Sequence, residues 1–254
     1  TQGNRDIWVM EDARTSRLTF DTGVDRFPVW SFDGQQLAFT SDRTGQSNIY
    51  VTGSAGGGTE RLLVASDQYK NATDWSRDGR YLLYMSQAEA SRGGFDLWVQ
   101  PLAGGAEPWP LLQTPAAERD GSYSPDGRWV AYTSNESGRR EVYVRPSGPQ
   151  GTSSAPLGQW QISSAGGFFP SWAPDGRELY FLNLSREMMA APITELGDAI
   201  EHGQPTTLFR APLRGVINNK LFDVARDGRF LFVTTLDDDT PPIRLIQRWT
   251  AGQP

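Results

Sequence analysis

The chain of 254 residues holds one histidine, His202, and no cysteine. A Ser-His-Asp triad or a zinc site would have to be built on that one imidazole, with no thiolate and no second imidazole to help it. His202 stands in the polar run Glu201-His202-Gly203-Gln204-Pro205, which reads as a solvated loop, and no Gly-x-Ser-x-Gly elbow occurs anywhere. The lack of cysteine also removes disulfides and leaves the redox compartment open. Gly56-Gly57-Gly58 is followed by no Lys-Ser/Thr pair and opens no helix, so it does not read as a phosphate cradle. Asp237-Asp238-Asp239 lacks the spaced oxygen ligands of a calcium loop. The sequence therefore assigns no catalytic residue, no metal site and no cofactor. One pair, Glu118 and Asp120, has the residue types for glycoside hydrolysis, which needs two carboxyl groups about 5–10 Å apart.

Other aspartates recur in a fixed phrase. It reads Trp30-Ser31-Phe32-Asp33-Gly34, Trp75-Ser76-Arg77-Asp78-Gly79, Tyr123-Ser124-Pro125-Asp126-Gly127, Trp172-Ala173-Pro174-Asp175-Gly176 and Val224-Ala225-Arg226-Asp227-Gly228. Successive aspartates lie 45, 48, 49 and 52 residues apart, the period of a propeller blade. Asp-Gly suits a hairpin turn, because glycine adopts positive φ freely and aspartate accepts hydrogen bonds from nearby N–H groups. An alternating strand follows each turn: Gln36–Phe39, Tyr81–Tyr84, Trp129–Tyr132, Glu178–Phe181 and Arg229–Phe232. Third strands follow at Asn48–Val51, Asp96–Val99, Glu141–Val144, Met188–Ala191 and Ile243–Ile246. Fourth strands follow at Glu60–Leu63, Trp109–Leu112, Trp160–Ser163 and Thr207–Phe209. No 3.6-residue period stands out; Ala191–Ile200 comes nearest, and Pro192 and Gly197 spoil it.

The expected fold is all-β, a β-propeller of four-stranded antiparallel blades, forming a single domain over 1–254. Residues 1–20 supply outer strands of an incomplete first blade, and 21–66, 67–113, 114–163, 164–210 and 211–250 form successive blades. The strand pairs Asp6–Met10 and Ser16–Phe20 have no inner partners in the sequence. Either a six-bladed parent completes that blade upstream, or Ser16–Phe20 closes a five-bladed ring; the well-formed N-terminal pair favours six. The recurrent Trp and Tyr are expected between blades, each contributing roughly 2–3 kcal/mol by burial.

In a propeller the segments leading into the first strands gather at the mouth of the central channel. They carry Asp25-Arg26-Phe27, Lys70-Asn71, Glu118-Arg119-Asp120, Gly167-Phe168-Phe169 and Asn218-Asn219-Lys220. Arg26, Asn71, Arg119, Asp120, Phe168 and Lys220 are the candidate binding residues. Their donors suit carboxylates or hydroxyls and the phenyl ring an apolar face, as in a site for a protein, a peptide or a small polar ligand. With a net charge of −6 and no Lys/Arg stripe, nucleic acid is excluded as a partner. No apolar run approaches the ~20 residues that span a bilayer, so no membrane insertion by this chain is expected.

The repeated Trp-Ser-Pro-Asp-Gly-Arg-like phrase, with an Asp-Ile-Tyr-Val-like strand after it, resembles the WD-repeat-like propeller of the TolB family. Gly3–Trp8, Thr73–Arg80, Phe95–Val99 and Ser134–Val144 more narrowly resemble the C-terminal propeller of bacterial serine/threonine protein kinases. That resemblance implies a six-bladed parent, an upstream kinase domain and membrane segment, and a propeller outside the cytoplasm or in the periplasm. The function it implies is a non-catalytic sensor or docking module of a larger bacterial protein. The alternative is an enzyme acting on carbohydrate, or the gating propeller of a prolyl-oligopeptidase-like hydrolase.

Overall fold

The structure is a computed structural model that describes residues 5–11, 14–56, 58–87, 94–103, 106–148, 158–213 and 220–233. Every regular element among them is a β-strand, and no helix is long and apolar enough to cross a membrane. The chain divides into two compact units, Thr1–Tyr123 with Gly148–Thr152, and Ser124–Ser147 with Ser153–Pro254.

The first unit begins with a two-stranded antiparallel ribbon, β1 (Trp8–Glu11) and β2 (Arg14–Arg17). Two four-stranded antiparallel sheets follow. One runs β3 (Asp25–Trp30), β4 (Gln36–Ser41), β5 (Asn48–Gly53), β6 (Arg61–Val64). The other runs β7 (Lys70–Trp75), β8 (Tyr81–Gln87), β9 (Phe95–Pro101), β10 (Trp109–Leu112). Strand β11 (Glu118–Tyr123) packs against β7, β8 and β9.

In the second unit β12 (Trp129–Ser134), β13 (Glu141–Pro146) and β14 (Trp160–Gln161) pair in sequence. Next come β15 (Phe168–Trp172), β16 (Glu178–Leu182), β17 (Glu187–Leu196), β18 (Ala199–His202) and β19 (Thr206–Arg210), with β17 pairing both β18 and β19. β20 (Phe222–Val224) and β21 (Phe230–Phe232) form a last hairpin. The expected strand Ile243–Ile246 and the run Asp237–Asp239 lie outside the described residues.

Side chains alternate between the two faces of a strand, and here each face feeds a different core. On β4, Leu37 and Phe39 pack with Ile7, Leu18 and Tyr50, while Ala38 packs with Ile49, Val51, Val64, Ala72, Trp75, Leu82 and Tyr84. On β16, Leu179 and Phe181 join Trp129, Val142 and Trp172, while Tyr180 and Leu182 join Phe169, Phe222, Phe230 and Phe232. A sheet buried on both faces is what blade-on-blade stacking requires. Trp75 is 6% exposed and Trp172 equally buried, as expected. Trp30 departs from the expectation, being 45% exposed. Trp75 packs on β4 and β5 of the sheet before it, but the sheet before Trp30 is only the ribbon β1–β2, which covers Leu37, Phe39 and Tyr50 instead.

The Asp-Gly phrase is a self-closing turn. Ser31 Oγ donates to Asp33 Oδ1 (2.6 Å) and accepts from Gln36 N (2.9 Å), while Asp33 Oδ1 also takes Gln35 N (3.0 Å) and Gly34 N donates to Ser31 O (2.9 Å). Gly34 sits at φ 73°. The Ser31 hydroxyl, then the Gln35 N–H, hold the Asp33 carboxyl below its ordinary value. Ser76–Asp78 and Ser124–Asp126 repeat the arrangement.

Candidate functional site

Arg26, Asn71, Arg119, Phe168 and Lys220 each lie seven residues before the aspartate of their turn, so they occupy one position of the repeat. The first four belong to the strands themselves, at the starts of β3, β7, β11 and β15, and not to loops ahead of them. Just after this position the strands bulge. Pairing shifts register between Arg26 and Val29, between Ala72 and Asp74, and between Phe168 and Ser171. Phe27, Asp120 and Phe169, each six residues before its turn aspartate, sit at φ 56°, 56° and 57°. A side chain in that region carries a strain of about 1 kcal/mol or more, and a bulge re-aims the residues beside it.

The first unit holds Arg26, Asn71, Arg119 and Asp120. Arg26 is half-buried and its Nη2 donates to Asp42 Oδ2 at 3.1 Å; Asp42 Oδ1 in turn accepts from Val24 N at 2.7 Å. The guanidinium of Arg119 lies 4.2 Å from the centre of the Phe95 ring, within cation–π range. Asn71 is 3% exposed, and its Oδ1 accepts no hydrogen bond among the described residues. The second unit holds Phe168 and Lys220. Phe168 pairs with Leu182 and meets Phe169 edge-on at 5.2 Å. Lys220 is exposed, reaches Ser171 Oγ on the same strand β15 at 3.2 Å, and lies 5.4 Å from the Phe222 ring.

The residue one position earlier is tied into the fold in three of the strands. Asp25, Lys70 and Glu118 are buried and structural. Asp25 accepts from Arg43 Nη2 at 3.2 Å; Arg43 also pairs with Glu60 and lies 4.4 Å from the centre of the Tyr50 ring. Lys70 Nζ donates to Asn48 Oδ1 (3.3 Å), Ser66 O (2.9 Å) and Gln68 O. Burial pulls its ammonium down to about 8. Glu118, 1% exposed, accepts from the Thr114 hydroxyl. A glycoside could not touch Glu118 without displacing β11, so the Glu118–Asp120 pair does not present two carboxylates to solvent.

Sequence reasoning missed the partners that fix these starts. The signal was present at the start of three of the third strands, where Asn48, Asp96 and Glu141 are polar and buried. Glu141 does in the second unit what Lys70 does in the first: both its oxygens accept from Gly166 N at 3.0 Å, and it takes the Ser163 hydroxyl and Arg139 Nε. Among the described residues no group of three or more acidic, His or Cys side chains is placed to hold a metal. His202 is exposed at the end of β18.

Two-faced four-stranded sheets with a recurrent hairpin turn define a β-propeller of four-stranded antiparallel blades. Within that class, the family model of the TolB beta propeller domain matches residues 1–106. It is 28% identical to an uncharacterized protein of Agrobacterium fabrum over 151 residues, 58% of this chain and 47% of that protein. It is 29% identical to the Tol-Pal system protein TolB of Helicobacter hepaticus over 119 residues, 46% of this chain and 28% of that protein. The solved structure of a putative TolB from Agrobacterium tumefaciens shares the fold at a TM-score of 0.60 and 22% identity, over 78% of this chain and 72% of that one. The chain thus spans less than half the length of these two curated relatives.

Proposed function

We propose that this chain is a docking module, recognising an acidic peptide or a sugar acid through the residues at the recurring first-strand position. The TolB-like propeller fold supports a non-catalytic binding module in general. The observation that carries the finer reading is the recurrence of donors at one repeat position, Arg26, Asn71 and Arg119 in the first unit and Lys220 in the second, in a chain of net charge −6, with a positive-φ residue directly after Arg26 and after Arg119. Strain of this kind clusters where side chains must be aimed. In the first unit Arg26 and Arg119 supply forked N–H donors for a carboxylate and Asp120 suits a hydroxyl; in the second, Phe168 offers an apolar face. The resemblance to kinase-attached propellers supports a sensor role in a larger bacterial protein, outside the cytoplasm, with a six-bladed parent.

The test is calorimetric titration of the chain with a panel of acidic peptides and uronates, repeated with Arg26→Ala and Arg119→Ala. Binding that both variants weaken tenfold or more supports the reading. A ligand bound equally by wild type and both variants removes these residues from the site. Glycoside hydrolysis by the wild-type chain would replace docking with catalysis.

A further inference from the structure

In the second unit, the turn between β16 and β17 lines a pocket beside the start of β15. Asn183 locks it: its Oδ1 accepts from Ser185 N and Glu187 N, both at 2.9 Å, and its backbone oxygen accepts from Arg186 N at 3.0 Å. Arg186 is held at φ 62°, with its backbone oxygen accepting from Ala211 N at 2.8 Å. The open pocket lined by Leu184, Ser185, Arg186, Glu187 and Arg210 has a volume of about 370 Å³. That lies within the range of small-ligand sites, at its lower end.

The charges in it are unevenly matched. Glu187 and Arg210 are register neighbours on β17 and β19, a placement that favours a cross-strand ion pair. The carboxylate instead takes Asn183 Nδ2 at 2.7 Å, back within its own turn. Arg210 makes no ion pair among the described residues and is exposed to solvent. Leu184 stands beside it at 66% exposure. It lies over Gly166, where an added Cβ would come within 2.5 Å of Leu184 Cγ. A forked guanidinium and an exposed apolar side chain thus line one small cavity.

We infer that this pocket binds a peptide segment with an acidic residue next to an apolar one. The acidic carboxylate takes the two parallel N–H donors of Arg210, and the apolar neighbour lies on Leu184. The hydrogen-bonded turn of Asn183 favours the pairing, since an ordered backbone loses little freedom on binding. The inference stands whether or not the recurring first-strand position binds anything.

The test uses the ¹⁵N-labelled 254-residue chain and the dipeptide acetyl-Leu-Glu-amide. Amide shifts should concentrate at residues 184–187 and 210. Arg210→Gln should weaken binding at least tenfold with its melting temperature unchanged, and acetyl-Leu-Gln-amide should bind at least tenfold more weakly than the acid. Leu184→Ser should weaken it about threefold. Equal binding of the glutamine dipeptide, or unchanged binding by Arg210→Gln, overturns the inference. Inorganic phosphate giving the same shifts at the same concentration would reduce the pocket to a general anion site and overturn the peptide reading. Arg26→Ala and Arg119→Ala should leave dipeptide binding intact, which separates this pocket from the other proposed surface.

Discussion

Two strand starts solve one problem with opposite charges. Ahead of β7, Lys70 gathers acceptors: Asn48 Oδ1 and the carbonyls of Ser66 and Gln68. Ahead of β15, Glu141 gathers donors: Gly166 N, the Ser163 hydroxyl and Arg139. The positions correspond within the repeat. Asn48 and Glu141 each stand 15 residues after a turn aspartate, and Lys70 and Gly167 each stand eight before one. Between β5 and β7 a neutral amide on the third strand meets a cation on the first, between β13 and β15 an anion meets a glycine segment, and Asp96 on β9 and Glu118 on β11 are both acids. A buried charge persists only when its hydrogen bonds are met. What the repeat preserves is the ordering of the leading segment, and either sign of charge serves if the backbone groups turned toward it are of the complementary kind.

The largest expected effect tests what both regions share. Trp75→Ala and Trp172→Ala should each cost about 3–5 kcal/mol in denaturant titration, from lost burial and the cavity left. Trp30→Ala should cost under about 1 kcal/mol, and a large loss there would mean Trp30 has a cover outside the described residues. Next comes the anion. Glu141→Ala orphans the Gly166 N–H and unlocks the segment before β15, and should cost about 3 kcal/mol. If it is neutral, Glu141 does not order that segment.

Gly167→Ala should cost about 1–2 kcal/mol by overpacking, because the new Cβ would sit 2.6 Å from Ser163 Oγ and 3.0 Å from Val142 Cγ2. A gain in stability would show that the segment yields easily. A small effect at neutral pH belongs to Lys70→Met, about 1 kcal/mol, since the lost hydrogen bonds are partly offset by removing a poorly solvated ammonium. That balance shifts with pH. The folded value, about 8, lies below the unfolded value of about 10.4, so between them the unfolded chain binds more protons and stability rises with pH. The advantage of wild type over Lys70→Met should widen from pH 8 to pH 10; a constant gap would show the ammonium keeps its charge when buried.

The turns were fully legible in the sequence because all their bonds fall within six residues, Ser31 to Gln36 for example. Strands β4, β8, β12 and β16 were legible for the same local reason, their alternation. The β17–β18 hairpin was not. Its buried residues Ile193 and Ile200 are seven apart, two turns of a helix, yet they meet one core because the chain reverses at Gly197-Asp198. The candidate site was legible as a repeat position but not as a surface. Which of these residues is buried depends on the local backbone, and Lys70 and Asn71 are both buried although they are neighbours on one strand. Trp30 was misjudged because its burial depends on a neighbouring sheet, not on its own phrase.

The self-contained turn also bears on how such a chain can lengthen. A duplicated stretch of about one period carries its own reversal with it, since Ser76, Asp78 and Gly79 need nothing from another blade to close. Copies can then diverge elsewhere, and the spacing between turn aspartates does drift, from 45 residues to 52, while the turn stays the same. The extra hairpin β17–β18 sits in the longest interval, so the insertion entered where no turn bond had to be broken.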